Sequence, residues 1–149
     1  MKQRGFSLIE ALVALVVLSV GMIGIAAMYG QGLAAGRTAQ FRTQAVNLVA
    51  DMADRIRVNR LGLAAYAGAG ADHDCDPQTG GPADCTPADM AAHDVFVWKQ
   101  QVQQLLPDGK TSIAVDTATV PPTYTISVSW DEVGQGTLTH TVTIQVPDE

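Results

Sequence analysis

The sequence predicts an α+β protein in which a long N-terminal helical spine packs against a small antiparallel β-sheet. Residues 11–36 carry no charged side chain. At about 1.5 Å per helical residue, that run is long enough to cross the ~30 Å hydrocarbon core of a bilayer. The last third of the chain instead alternates apolar and polar residues, which is typical of half-buried strands. With 149 residues, the chain has room for one globular domain beside the helix.

The N-terminus combines two positive charges with an acid at the start of the apolar run. Lys2 and Arg4 precede Gly5 and Phe6, and Glu10 follows. The positive charges predict that the N-terminus stays cytoplasmic and that the rest of the chain lies outside. A carboxylate in the bilayer costs about 2.5–3.5 kcal/mol at mid-membrane and less near the edge, so Glu10 needs a partner. A secretory signal peptide is disfavoured because the apolar run is too long and follows an acid; a plain signal anchor stays open.

The N-terminal helix is expected to run from Phe6 to about Arg60, since no proline falls within it. Its first half, 6–36, is the candidate membrane segment. The glycines in this half lower its helix propensity, and two explanations stay open, local melting and close packing of helices. The second half, 37–60, is expected to pack on a head domain. Its apolar residues recur at spacings of three and four, namely Phe41, Ala45, Leu48, Met52 and Ile56.

The head, 61–149, is predicted to begin with a loop from Leu61 to Cys85, rich in Gly, Ala, Asp and Pro. Cys75 and Cys85 are the two cysteines, and in an exported chain they are expected to form a disulfide. Zinc binding by this pair with histidines is disfavoured, because the cysteine spacing does not match the usual short ligand pairs. An alternating acidic motif resembles a calcium loop but lacks the glycine and glutamate of an EF-hand, so a solvated loop is preferred. The residues concerned are His73 and His93 for zinc, and Asp72, Asp74 and Asp76 for calcium.

A second helix and then strands are predicted after the loop. Thr86 is a candidate cap, with Asp89 completing an approximate capping box, and the helix is expected to stop at Pro107–Gly109. Thr111–Val115 is the first strand, and the segment Asp131–Gly136 is a hairpin loop between the next two. The predicted apolar faces comprise Val95, Trp98, Val102 and Leu105 on the helix, Tyr124, Ile126, Val128 and Trp130 on one strand, and Leu138, Val142, Ile144 and Val146 on the other.

Charge and composition disfavour nucleic-acid binding and catalysis. The formal net charge is −6, and beyond Arg60 only Lys99 and Lys110 oppose a majority of acids. An acidic exported domain is a poor match for a phosphate backbone. The three histidines fall in a predicted loop, helix and strand, and no serine or cysteine has a nucleophile context. His140 lies two residues from Leu138 and from Val142, on the predicted apolar face of its strand, and is interpreted as a core or edge histidine. The sequence therefore predicts a protein that is not an enzyme and has no cofactor.

The string G-F-S-L-I-E-A-L-V-A-L, from Gly5 onward, resembles the class III signal of type IV pilins and related pseudopilins. The resemblance implies that residues 1–5 are a leader cut by prepilin peptidase between Gly5 and Phe6, that Phe6 is N-methylated, and that Glu10 is the glutamate of the family. The new amine of one subunit and Glu10 of the next can then neutralise each other. Such a pair adds little stability but specifies register.

Later segments resemble a subgroup, the PilV-type minor pilins or type IV pilus modification proteins. They are N-L-V-A-D-M-A-D-R-I-R-V-N at Asn47–Asn59, L-L-P-D-G after Trp98, and Trp130-Asp131. The chain also lacks the proline in the N-terminal helix and the late cysteine pair that major pilins usually carry.

The subgroup resemblance implies an inner-membrane protein with a periplasmic head that enters the pilus at the cell surface. Its partners would be the major pilin, other minor pilins and the inner-membrane assembly machinery, and its role would be priming of assembly near the tip. Twitching motility and cell adhesion are the associated processes. Two alternatives stay open: a minor pseudopilin of type II secretion, and a pilin-like adhesin or uptake receptor whose acidic loop holds a ligand.

Overall fold

The computed structural model describes residues 7–75 and 85–147. Contacts divide the chain into two compact units, Met1–Ala39 and Gln40–Glu149. The predicted α+β fold is confirmed, with a long apolar N-terminal helix and a three-stranded antiparallel sheet. The leader, 1–5, and Phe6 lie outside the described residues.

Helix α1 (Leu8–Val58) supplies all the described secondary structure of the first unit. Residues 7–37 are exposed throughout, although most of them are apolar. The helix is unbroken across its glycines, because alanine-, leucine- and valine-rich turns on either side keep its hydrogen bonds in register. Within α1, an 18-residue window reaches a mean hydropathy of 2.6, and none of that window is buried in the chain. The helix is therefore long and apolar enough to cross a membrane.

The second unit packs the later turns of α1 with two further helices and the sheet. A 3₁₀ helix (Arg60–Ala67), interrupted by a kink at Leu63, follows α1, and α2 (Pro87–Leu105) precedes the strands. The strands are β1 (Lys110–Asp116), β2 (Thr123–Glu132) and β3 (Gly136–Gln145), in the spatial order β1-β2-β3. The register aligns Ile113 with Ile126 and Ile126 with Val142, so that apolar side chains share one face.

The apolar face of the sheet packs with the later turns of α1 and with α2 to form one hydrophobic core. The predicted stripe on α1 is confirmed, except that Phe41 is only partly buried. The alternation predicted for β2 is also confirmed, since its inward residues are all buried and its outward residues are not. His140 is half-buried on the inner face of β3, as its parity predicts. Of the predicted residues after the hairpin, Ile144 and Val146 are buried, and Leu138 and Val142 are partly buried. The buried members are Ala45, Leu48, Val49, Met52, Ala53 and Ile56 on α1, Tyr66 on the 3₁₀ helix, Ala91, Val95, Trp98 and Val102 on α2, Leu106 after it, Tyr124, Ile126, Val128 and Trp130 on β2, and Ile144 and Val146 at the end of the sheet.

Helix α2 begins with the predicted capping box. The Asp89 backbone N–H donates to Thr86 Oγ1 over 3.2 Å, and Asp89 Oδ2 accepts from the Thr86 backbone N–H over 3.3 Å. The prediction for the other end was wrong in one residue. Leu105 is 45% exposed, whereas Leu106 is buried. Because the helix ends at Leu105, the extended backbone of Leu106 turns that side chain into the core instead.

Two loop predictions need correction. The Leu61–Cys85 segment contains the 3₁₀ helix, and its aromatic residue, Tyr66, is fully buried. The hairpin loop is shorter than Asp131–Gly136, because β2 continues to Glu132 and β3 begins at Gly136. The Asp131 backbone N–H donates to the Pro107 carbonyl over 3.0 Å, which holds the end of β2 in extended form.

Candidate assembly helix and the head it carries

Glu10 lies in the first turn of α1, where the helix begins on the Ser7 carbonyl. The backbone N–H groups of Glu10 and Ala11 donate to that carbonyl over 3.0 and 3.3 Å. A carboxylate at this end is favoured by the helix dipole. Among the described residues, no side chain binds the Glu10 carboxylate. Gly5 and Phe6, the predicted cleavage and methylation residues, lie outside the described part of the chain, so Glu10 is the one member of that predicted set that the structure positions.

The helix that follows Glu10 is suited to an apolar environment. Its large side chains from Leu8 to Leu33 are 57–83% exposed, so this unit covers none of them. The serine hydroxyl in this run is satisfied internally, since Ser19 Oγ donates to the Leu15 carbonyl over 2.7 Å. The segment therefore presents apolar surface on every side and requires lipid or neighbouring helices to cover it.

In the head, one carboxylate joins α1, the 3₁₀ helix and α2. Asp94 Oδ1 lies 2.9 Å from Arg55 Nη1, and Asp94 Oδ2 accepts from the Tyr66 hydroxyl over 3.2 Å. Arg55 Nε also pairs with Asp51 Oδ2 at 2.9 Å. Burial lowers the pKa of Arg55, but hydrogen bonds to Asp94 and Asp51 outweigh it and hold the pKa above its ordinary value. Burial, reinforced by Asp94, raises the pKa of Tyr66.

The sequence analysis missed this junction. One signal was available, because Tyr66 is an isolated aromatic residue in a stretch of alanine and glycine. Trp98, by contrast, was correctly predicted as a core residue. It is fully buried, and its indole N–H donates to the Leu48 carbonyl over 2.8 Å.

The Cys75–Cys85 disulfide is present, with the two Cα atoms 5.9 Å apart. The chain that leads into it is held against α2. His93 Nδ1 lies 3.3 Å from Asp72 Oδ1, and His73 Nδ1 lies 3.9 Å from Asp89 Oδ1. The Asp89 side chain accepts from Thr86 and faces His73, and these interactions lower the pKa of Asp89.

The acidic residues considered for calcium do not converge on one site in the described part of the chain. Asp72 Oδ1 accepts from the Asp74 backbone N–H over 3.0 Å and faces His93, while Asp76 lies outside the described residues. Across residues 7–75 and 85–147, no group of three or more histidine, cysteine or acidic side chains is arranged to hold a metal ion.

Comparison with known families accounts for the apolar helix. Residues 1–26 match the prokaryotic N-terminal methylation motif, and residues 27–96 match the family described as type IV pilin Tt1218. The chain is a member of the type IV pilin superfamily. Neither match distinguishes the PilV-type subgroup. No curated protein and no solved structure matches the chain.

As a type IV pilin with a methylation motif, the protein is pilus-related and belongs to a structural rather than a catalytic family. The motif implies processing by prepilin peptidase and assembly with other pilins. The exposed apolar part of α1 fits a membrane-anchored pilin that is later assembled into a pilus. Within the second unit, the Arg55–Asp94–Tyr66 junction joins the later turns of α1 to the 3₁₀ helix and to α2.

Proposed function

We propose that this pilin is a minor pilin that primes assembly of a type IV pilus and lies near the tip with other minor pilins. The observation that carries the proposal is the exposed apolar segment of α1, from Leu8 to Leu33, which has Glu10 in its first turn and belongs to the same helix as the head-packing residues. A helix of this kind requires cover along its whole length, and the neighbouring helices of a filament provide it.

Register in the filament is proposed to depend on Glu10 and the amine of Phe6. Cleavage after Gly5 would release that amine four residues before Glu10, in the same apolar layer. Because the structure gives Glu10 no partner among the described residues, the amine of an adjacent subunit is a suitable one. A misaligned subunit would leave a charge unpaired in an apolar medium, which is costly.

The head is proposed to fold in the periplasm before assembly. Lys2 and Arg4 favour a cytoplasmic N-terminus. The head would then lie on the periplasmic side of the inner membrane. The Cys75–Cys85 disulfide supports this location, since disulfides persist in the oxidising periplasm and are rare in the cytosol. The inner-membrane assembly machinery would then extract the subunit by its helix.

The first experiment is intact-mass spectrometry of the protein purified from cells with and without prepilin peptidase. We expect a mass decrease equal to residues 1–5, together with the addition of one methyl group, only when the peptidase is present. A Gly5→Leu variant should stay uncut and serves as the control. If the wild-type chain stays uncut in the presence of the peptidase, the protein is a signal-anchored domain and the proposed function is wrong.

A second experiment tests the role of Glu10 in register. Glu10→Gln keeps the size of the side chain but removes its charge, so the variant should still be cleaved and should be depleted from sheared pili. Asp54→Asn, an exposed charge on the same helix, should be incorporated normally. Equal incorporation of Glu10→Gln and wild type would contradict the register role.

Copy number and phenotype separate the proposed role from its alternatives. A priming subunit should be far less abundant than the major pilin in sheared filaments, and its deletion should sharply reduce the number of pili. Loss of protein secretion with pili intact would indicate a type II pseudopilin instead. Normal pilus number with lost attachment or uptake would indicate an adhesin or receptor.

A further inference from the structure

We infer that the free edge of β3 binds an extended strand of another pilus protein, which joins the sheet as a fourth strand. The inference rests on the proposed function, because it takes the partner from the filament. The strand order β1-β2-β3 leaves one edge of the sheet at β1 and the other at β3. The 3₁₀ helix and α2 pack along β1, whereas the main neighbour of β3 among the described elements is β2. The edge at β3 is therefore the open one.

The hydrogen bonds of β3 show which backbone groups face this edge. The Val146 N–H donates to the Pro122 carbonyl over 3.2 Å, one position beyond the first pair of the β2–β3 register. In an antiparallel pair, residues that exchange hydrogen bonds alternate with residues that do not. The even-numbered residues from 138 to 144 therefore bond to β2, and the four threonines at odd positions from 137 to 143 direct their N–H and C=O groups away from it. Such a row is satisfied by water or by the backbone of a further strand.

The sequence of β3 carries none of the features that usually protect an exposed edge. Proteins blunt such edges with lysine, proline or a bulge, or they cover them. β3 is ten residues long and contains no proline, and residues 133–147 include no Asp, Glu, Lys or Arg. Its pairing with β2 skips no residue, so it has no bulge. β1, by contrast, has Lys110 and Asp116 at its ends. An unprotected edge of this length is a template for strand addition.

The inner face of the sheet is incompletely covered beside β3. Ile126 and Trp130, on β2, are 0% and 3% exposed, whereas their register partners Val142 and Leu138 are only partly buried. A cleft of about 380 Å³ lies between this side of β3 and α1, where Val46 is 47% exposed. A strand added at the edge would cover Val142 and Leu138 and place an inward side chain at the cleft. That side chain is expected to be apolar, because its surroundings are.

Symmetry excludes a second copy of β3 as the partner within one filament. Two β3 edges that pair with their apolar faces on the same side are related by a two-fold axis perpendicular to the sheet. The later turns of α1 pack against that sheet, so this axis would reverse the direction of α1 in the second copy. Pilins that share a cytoplasmic N-terminus enter a filament with their helices running the same way. The partner is therefore an uncharged, alternating strand of a different protein.

The open edge is tested by hydrogen exchange on the ¹⁵N-labelled full-length chain in detergent micelles. Without a partner, the amides of Thr139 and Thr141 should exchange rapidly and those of His140 and Val142 slowly, because only the latter bond to β2. The probe is the synthetic peptide T-L-T-H-T-V-T-I-Q, which copies residues 137–145 and, without a helix, is free to pair in either direction. It should bind saturably and slow exchange of the two threonine amides by about tenfold or more.

The control is the same peptide with proline in place of its central threonine, which should not bind. If the unmodified peptide does not bind, or binds without slowing exchange along β3, the edge does not accept a strand.

Substitutions locate the binding at the edge. Thr141→Pro removes an N–H group that β2 does not use, so the head should stay folded while peptide binding weakens by about tenfold or more. The indole signal of Trp98, which is bound to the Leu48 carbonyl, reports that the core is intact. Thr141→Lys blunts the edge without changing the backbone, and it should also weaken binding. Ser127→Lys is the matched control, because Ser127 lies opposite Thr141 on the same face but on the central strand. Equal peptide affinities of the two lysine variants would contradict binding at the edge.

The partner is tested in assembled pili by photo-cross-linking. A photoreactive residue at position 143 should link to an uncharged segment of another pilus protein, and Thr141→Lys should abolish the link. The same residue at position 112, on the exposed outer face of β1, is the control and should not give this link. A link to β3 of a second copy, or no link in pili that contain the chain, would overturn the proposed partner. If pili lack the chain, the proposed function and the pilus partner are both wrong, whereas peptide binding still decides whether the edge accepts a strand.

Discussion

Arg55 and Asp94 are separated by 39 positions in the sequence, yet Arg55 Nη1 lies 2.9 Å from Asp94 Oδ1. Asp94 is the more enclosed of the two, with 14% of its side chain exposed, compared with 32% for Arg55. Because the second oxygen of Asp94 accepts from the Tyr66 hydroxyl, one carboxylate connects three helices. The docking of the 3₁₀ helix and α2 on α1 therefore depends on a single side chain more than on any exposed ion pair.

Replacing Asp94 by Asn should destabilise the head by about 1–3 kcal/mol, because the partly buried Arg55 guanidinium loses the more enclosed of its two carboxylate partners and keeps only Asp51. Urea denaturation followed by near-ultraviolet circular dichroism measures the effect. Asp54→Asn is the matched control, since its pair with Arg57 is exposed, with 72% of Asp54 and 53% of Arg57 accessible. The control should cost less than about 0.5 kcal/mol. Equal losses in the two variants would show that the junction contributes nothing special.

The lowered pKa of Asp89 predicts acid sensitivity at the start of α2. Hydrogen bonds from Thr86 favour the ionised form in the folded head, with a smaller effect of His73. The folded pKa is therefore below the unfolded one, so this contribution to stability is present above the unfolded value near 4 and is lost as pH falls through the folded value. The melting temperature of Asp89→Asn should be lower than that of wild type at pH 7, and the difference should shrink below about pH 4. A constant difference across that range would contradict the linkage.

Gly109 is predicted to be intolerant of a side chain for reasons of space. A Cβ atom at this position would lie 2.5 Å from the Val102 carbonyl oxygen, in the last turn of α2. Gly109→Ala should therefore cost about 1–3 kcal/mol through overpacking and displacement of backbone. Gly134, in the β2–β3 turn, has open space around its Cβ position and a φ of +83°, so Gly134→Ala should cost only about 1 kcal/mol. Thermal denaturation of both variants compares the two effects, and a smaller loss at Gly109 would contradict the steric explanation.

Loss of the Cys75–Cys85 disulfide should lower the stability of the head without affecting α1. In the chain-entropy description, opening a loop of this size costs about 2–3 kcal/mol. The double substitution to serine should therefore melt several degrees earlier, while far-ultraviolet circular dichroism keeps the helical signal of residues 8–58. An unchanged melting temperature would show the bridge to be dispensable for the fold.

Local patterns in the sequence were sufficient to predict most of the fold. The stripe on α1 and the alternation on β2 follow from helical and strand periodicity, and the capping box at Thr86 involves residues only three positions apart. The terminal residues of elements were less predictable. Leu105 and Leu106 are equally apolar, and only the point at which the helix ends decides which of them enters the core.

The features that the sequence did not reveal depend on contacts between distant segments. Short 3₁₀ turns have little intrinsic stability, so the two that form Arg60–Ala67, on either side of the kink at Leu63, depend on burying Tyr66 against neighbouring elements. The cavity lined by Arg42, Trp130 and His140 likewise combines α1 with β2 and β3, which lie far along the chain from it. The N-terminal methylation motif, by contrast, could be recognised from the sequence because it consists of consecutive residues.

The unburied helix from Leu8 to Leu33 has a thermodynamic consequence for extraction from the membrane. Lipid tails and the packed side chains of neighbouring helices are almost equally apolar, so a leucine or valine that moves from one to the other gains little from water exclusion. On the proposed function, the work of moving this helix from lipid into a filament is therefore not spent against the hydrophobic effect over most of its length. It is concentrated on the few polar groups that must change solvent, of which Glu10 is the most costly. On the proposed function, the carboxylate of Glu10 would therefore account for much of the cost of moving the helix from the membrane into a filament.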